Sequence, residues 1–147
     1  MSYDPATNPL NGAEWIFPCL EVIHISCFAM SVGLISVVNL RLAGLAFKES
    51  TPEELNRKLF LWTLAGLTLV LTAGMLLFTM DPIRYFYNPG FRFKMIALLA
   101  ALVYQYTIQR SVIRNHRDKW IFGPASAMIS SILWASVVFG GIFFAFV

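Results

Sequence analysis

Glu21 and His24 lie three residues apart in an otherwise apolar stretch, and they are the residues of this chain most suited to chemistry. A spacing of three places both side chains on one face of a helix. An imidazole can ligate haem iron, and carboxylate–histidine pairs at this spacing also hold metals in helical bundles. A second such pair is missing from the 147 residues, so a binuclear site within one chain is not expected.

The stretch that carries this pair is one of four long apolar runs in the sequence. The runs cover roughly Phe17–Leu40, Leu59–Met80, Met95–Ile108 and Phe122–Val147. A helix needs about 20 apolar residues to cross a bilayer. The chain is 58% hydrophobic and 13% charged, whereas soluble domains carry about 25% charged residues. The sequence therefore predicts an all-α integral membrane protein with one domain over residues 1–147 and helices at about 16–46, 53–80, 91–114 and 122–147.

The basic residues predict how these helices cross the membrane. The first and third loop regions hold most of them: Arg41, Lys48, Arg57, Lys58, Arg110, Arg114, Arg117 and Lys119. Short connections favour an up-down-up-down bundle, and basic loops stay in the cytoplasm. Both termini are therefore expected outside, on the periplasmic side of a bacterial inner membrane. The net charge of +3 follows this topology and does not indicate a nucleic-acid partner.

One loop also carries a helix start. Thr51 is a residue type that caps helices, Pro52 suits the first helical position, and Glu53 and Glu54 follow in the first turn. This pattern predicts that the second helix begins at the membrane surface.

The predicted topology brings further polar side chains to the depth of Glu21 and His24. Met75, Arg92 and Lys94 all fall in the outer half of the bundle. Charges that face lipid are costly, so these groups should face inward and pair. Three interpretations are open: a structural network in which Glu21 pairs with Lys94 or Arg92, a haem site with His24 as axial ligand, or a metal site formed by Glu21 and His24. In the haem site, Met75 or Met80 is a candidate second ligand.

His116 is the only other histidine, and its loop setting predicts an ordinary surface residue. It follows Lys94 by 22 residues, which is about 33 Å along a helix. One monomer therefore cannot hold a single haem between His24 and His116.

Several segments resemble a bacterial family of uncharacterised four-helix membrane proteins. They are Glu14-Trp15-Ile16-Phe17-Pro18, Leu20-Glu21-Val22-Ile23-His24-Ile25, Leu40-Arg41-Leu42-Ala43-Gly44-Leu45-Ala46-Phe47, Thr72-Ala73-Gly74-Met75-Leu76-Leu77-Phe78 and Asn88-Pro89-Gly90-Phe91-Arg92-Phe93-Lys94. The resemblance covers most of the chain. It implies the fold but says little about biochemical activity.

A more distant resemblance is to the four-helix protoporphyrinogen oxidases of bacteria, which bind haem. It rests on His24, Gly33, the Leu40-Arg41-Leu42 segment and Lys94. The sequence departs from that family where Ser31 and Asn39 replace a tryptophan and a proline, and where Tyr104-Gln105 replaces Tyr-His. The resemblance implies haem b at His24 with Lys94 nearby, and it does not carry over the oxidase activity.

The leading hypothesis is a small membrane-embedded haem-binding or redox protein that passes electrons to a quinone or to a partner complex. In it, His24 ligates the metal, and Glu21, Lys94, Arg92 and Met75 surround the haem b. One alternative is a non-catalytic accessory or scaffold subunit of a larger membrane complex. The other is a metal or proton transporter, which would need a homo-oligomer. Since the sequence has no phosphate-binding loop, CxxC, CxxCH or HExxH motif, whether the chain is an enzyme stays open.

Overall fold

Four membrane-length helices account for most of the residues that the structure describes. A computed structural model of the chain describes residues 4–115 and 121–146. Within these ranges the regular elements are all helical. The helices long and apolar enough to cross a membrane are Ile16–Leu42, Pro52–Met80, Pro89–Arg114 and Phe122–Phe144. The all-α prediction and the four membrane-length helices are confirmed, while the orientation of the bundle stays a prediction.

The elements follow the predicted order with small shifts at their ends. Two 3-10 turns, Pro5–Thr7 and Pro9–Gly12, come first. They are followed by α1 (Ile16–Leu42), α2 (Pro52–Met80), α3 (Pro82–Tyr87), α4 (Pro89–Tyr104), a π-helical turn (Gln105–Gln109), α5 (Arg110–Arg114) and α6 (Phe122–Phe146). Helix α4, the π turn and α5 together form the third span.

Helix α1 ends four residues before the predicted position 46 because Gly44 terminates it. Gly44 has a φ of 75°, a conformation that glycine adopts without steric cost. Its N–H donates to the Arg41 carbonyl, and the Leu45 N–H donates to the Leu40 carbonyl, both at 3.0 Å. This pair of bonds is the Schellman arrangement, which satisfies the last carbonyls of a helix.

The predicted start of α2 is confirmed, and α4 begins in a similar way. The Thr51 hydroxyl accepts a hydrogen bond from the Glu54 N–H at 3.2 Å, and Pro52 is the first helical residue. The Asn88 side chain accepts from the Gly90 N–H at 2.8 Å, so the third span begins at Pro89 and not at the predicted residue 91.

The helices pack as two close pairs. Helix α1 lies along α2, α4 lies along α6, and α1 also contacts α6. Small residues set the closest approach, as is usual between membrane helices. A Cβ atom on Gly66 would come within 2.2 Å of the Ser31 hydroxyl oxygen, so α1 and α2 could not pack this closely with any larger residue there. Most other apolar side chains face outward, where lipid would contact them.

The π turn gives the third span an unusual inward face. Its inward residues recur every four positions, at Ala97, Ala101, Gln105, Gln109 and Ile113. In a regular α-helix of 3.6 residues per turn, a repeat of four drifts by about 40° each time. The wider π turn reduces this drift, so Gln105 and Gln109 both remain buried. Such turns are rare and occur frequently at functional sites.

Candidate functional site

His24 is held by a hydrogen bond to the neighbouring helix. It lies half-buried on α1, and its Nδ1 is 2.9 Å from the Val70 carbonyl oxygen of α2. A carbonyl oxygen only accepts, so Nδ1 carries the proton and donates. In the neutral imidazole, Nε2 then keeps its lone pair. Metal-ligating histidines are usually oriented in this way, with the second ring nitrogen bonded to a carbonyl or carboxylate.

Gly74 makes room for the imidazole on the surface of α2. A Cβ atom at this position would lie 3.0 Å from His24 Cε1 and 3.3 Å from Nδ1. A larger residue would displace the ring from its hydrogen bond. The glycine one turn after Val70 is therefore part of the histidine's setting.

Lys94 reaches into the bundle from α4 without a carboxylate partner in the described part of the chain. Its Nζ lies 5.7 Å from the centroid of the Phe28 ring. Its stem runs beside Gly140 and Gly141, where Cβ atoms would lie 3.2 Å and 3.7 Å from the nearest carbons of the lysine side chain. The ion pair among described residues is the exposed Lys58–Glu54 contact at 3.0 Å.

The structure brings together some of the predicted site residues and leaves others apart. His24 and Lys94 are both partly buried in the bundle. Glu21 and Arg92 are exposed, and the predicted ion pair of Glu21 with Lys94 or Arg92 is not formed in residues 4–115 and 121–146. Met75 is 72% exposed on the outer side of α2, away from the side that meets His24.

Two further predictions concern metals and His116. Among the described residues, no group of three or more His, Cys, Asp and Glu side chains could hold a metal ion. His116 and the rest of residues 116–120 lie outside the described residues.

A buried polar layer also exists that the sequence reasoning missed as a unit. Gln109 is 0% exposed, and its Nε2 donates to Asn39 Oδ1 at 2.5 Å. Asn39 Nδ2 in turn donates to the hydroxyls of Ser130 and Ser131 at 3.1 and 3.2 Å. Ser130 donates to Gln105 Oε1 at 3.4 Å. The layer links α1, the third span and α6, and Gln109 Oε1 is left without a partner in the described residues.

Sequence signals for this layer were present but scattered. The serines Ser126, Ser130 and Ser131 mark a small polar face on the fourth helix, which is usual at contacts between membrane helices. The two glutamines gave no such signal because a π turn has no recognisable pattern in the sequence.

The fold and these two polar centres define a multi-pass helical membrane protein. The chain belongs to DUF6644, a family of unknown function whose family model matches residues 16–147. No curated protein and no solved structure matches the chain. The predicted membership of an uncharacterised family is thereby confirmed, while the resemblance to the haem-binding oxidases stays a prediction.

Proposed function

We propose that this protein is a small haem-binding redox protein of the bacterial cytoplasmic membrane, with His24 as an axial ligand of haem b. The observation that carries the proposal is the hydrogen bond from His24 Nδ1 to the Val70 carbonyl. It fixes the ring orientation and leaves Nε2 as the nitrogen with a lone pair. Histidines that ligate metals are usually oriented by such a bond from the second ring nitrogen.

Lys94 supports the same proposal because its ammonium group would be stabilised by an anionic partner. An ammonium group taken into a membrane bundle is costly unless it is paired. No carboxylate of the described residues pairs with it. A haem propionate would carry the missing charge. Gly140 and Gly141 let the lysine side chain pack closely against α6. Glu21 and Arg92 are exposed and have no role in this proposal, and Met75 faces away.

These contacts suggest a role for each residue in the proposed haem site. A bound haem supplies a one-electron redox centre. His24 would hold the iron, the Val70 carbonyl orients His24, and Lys94 would balance a propionate carboxylate. A quinone or a partner complex is the proposed electron acceptor, and the lipid bilayer excludes bulk water from the site.

An absorption spectrum of the purified protein tests the proposal. We expect a Soret band in the parent and its loss in His24→Ala, with the variant still inserted in the membrane. His116→Ala is the matched control, because it removes the only other histidine, and it should keep the band. A folded parent that stays colourless after expression with added haem would contradict the proposal, and so would a His24→Ala protein with an unchanged spectrum.

A different observation favours the alternative of an accessory subunit. The outward side of α1 carries four exposed small residues: Ser26, Ala29, Gly33 and Ser36. Membrane helices contact one another through such faces. A colourless protein that co-purifies with the same membrane partner, and loses it in Gly33→Leu, would support this alternative. The third prediction, an oligomeric metal or proton transporter, gains no specific support from the described geometry.

A further inference from the structure

A small cavity lies between α1, α2 and the third span, toward the end of the bundle that carries the α1–α2 loop. Its volume is about 20 Å³. The polar side chains that line it include Asn56, Thr63, Gln105 and Arg110. The cavity therefore differs from the apolar packing around it.

Thr63 presents an unpartnered hydroxyl to this cavity. The residue is only 8% exposed, and its hydroxyl makes no hydrogen bond within the described residues. Other threonines of the spans behave differently. The hydroxyls of Thr68 and Thr72 donate to the carbonyls of Leu64 and Thr68 in their own helix, both at 2.8 Å.

Gln105 presents a second unpartnered group. It is also 8% exposed. Its Oε1 accepts from Ser130, whereas its amide nitrogen makes no hydrogen bond in the described part of the chain. Two polar groups on different helices thus line one cavity, and each lacks a partner. A water molecule in the cavity would give both groups a hydrogen-bond partner.

We propose that this cavity binds one ordered water molecule, held by the Thr63 hydroxyl and the Gln105 amide. A water needs a cavity of at least about 10–15 Å³ and two to four polar partners. The volume fits one water and is too small for an organic head group. Asn56 and Arg110 line the same cavity and can supply the remaining hydrogen bonds.

The water would join α2 to the buried polar layer. Without it, the hydrogen bonds from Gln109 through Asn39 and Ser130 to Gln105 link α1, the third span and α6. With it, Thr63 of α2 becomes the end of the same chain. Every side chain from Gln109 to Thr63 is uncharged. The role that we infer for the water is therefore structural: its hydrogen bonds hold the helices together. This inference is independent of the proposed haem.

A structure of the full chain in lipid, at a resolution that shows ordered waters, tests the inference. We expect a solvent peak within about 3.2 Å of Thr63 Oγ1 and of the Gln105 amide nitrogen. Thr63→Val keeps the side-chain shape and removes the hydroxyl, so it should lose the peak and lower the unfolding midpoint. Thr68→Val is the matched control on the same helix and should keep the peak.

Two results would overturn the inference. One is an empty cavity in a parent map that shows other buried waters. The other is a Thr63→Val midpoint equal to or above that of the parent, which is the result expected for a dry cavity. If Thr63→Val fails to insert, the presence or absence of the solvent peak in the density map of the parent protein is the test.

Discussion

The Nδ1 atom of His24 lies 2.9 Å from the carbonyl oxygen of Val70, so a side chain of α1 is bonded to the backbone of α2. The Val70 carbonyl belongs to the backbone of a helix and has a fixed position, so it orients the imidazole rigidly. The same bond selects the tautomer in which Nε2 has the lone pair. The relationship depends on Gly74, which lies one turn after Val70 in α2.

Replacing Gly74 by valine should release the histidine. The first added carbon would lie 3.0 Å from His24 Cε1, and the β-branched side chain would add more bulk toward the ring. We expect a lower ratio of Soret absorbance to protein with the bundle still inserted. Gly33→Val is the matched control, because a Cβ at Gly33 meets nothing within 4 Å. Equal haem content in the two variants would show that the position of the ring does not matter.

Lys94→Met should leave the haem-free bundle as stable as the parent or more stable. Since Lys94 has no carboxylate partner among the described residues, its removal strands no opposite charge. Breaking a buried ion pair would instead cost about 3–5 kcal/mol. The measurement is the midpoint of unfolding in mixed detergent micelles, with the exposed Arg92→Met as the control. A large loss specific to Lys94→Met would reveal a carboxylate partner, and retained haem affinity would argue against a propionate contact.

The membrane-length helices could be predicted from the sequence, whereas the direction in which each polar side chain points could not. Apolar length fixed the four spans and placed His24 and Lys94 at one level. A spacing of three residues fixes the angle between Glu21 and His24, but not which side of the helix meets the bundle. Because these helices are apolar on all sides, no polar face marks the side toward lipid. Glu21 and Met75 are exposed, which the sequence pattern did not indicate.

The buried polar layer could not be predicted from the sequence for a related reason. Under regular α-helical geometry, Gln105 and Gln109 would drift around the helix together with the other residues four apart. The π turn keeps both buried, and their side chains bond to residues on other helices. Asn39 supplies one such partner from α1, at a distance of 70 residues in the sequence. Pairings of that kind require the folded bundle.

Asn39→Ala should destabilise the bundle more than a comparable change on the outside of α1. The substitution removes the acceptor of Gln109 Nε2 and the donor to Ser130 and Ser131. Leaving a buried polar group unsatisfied costs about 1–3 kcal/mol. Ser36→Ala is the control, since this exposed hydroxyl bonds only to the Val32 carbonyl of its own helix, and it should change stability by less than about 0.5 kcal/mol. Similar unfolding midpoints for the two variants would contradict a stabilising role for the layer.

The last prediction concerns the orientation of the bundle in the membrane. The position of Lys94 bears on it. Of the basic residues around the second loop, Lys94 extends into the bundle, so the excess of basic residues in the first loop is larger than a simple count suggests. The positive-inside rule then predicts that the α1–α2 loop lies in the cytoplasm. Exposed Glu49 and Tyr87 are suitable reporter positions, each changed to cysteine in a chain whose Cys19 and Cys27 are replaced by alanine. With a membrane-impermeant thiol reagent on spheroplasts, Tyr87→Cys should react at once and Glu49→Cys only after the membrane is opened. The reverse pattern would place both termini in the cytoplasm and would move the His24 site to the opposite half of the membrane.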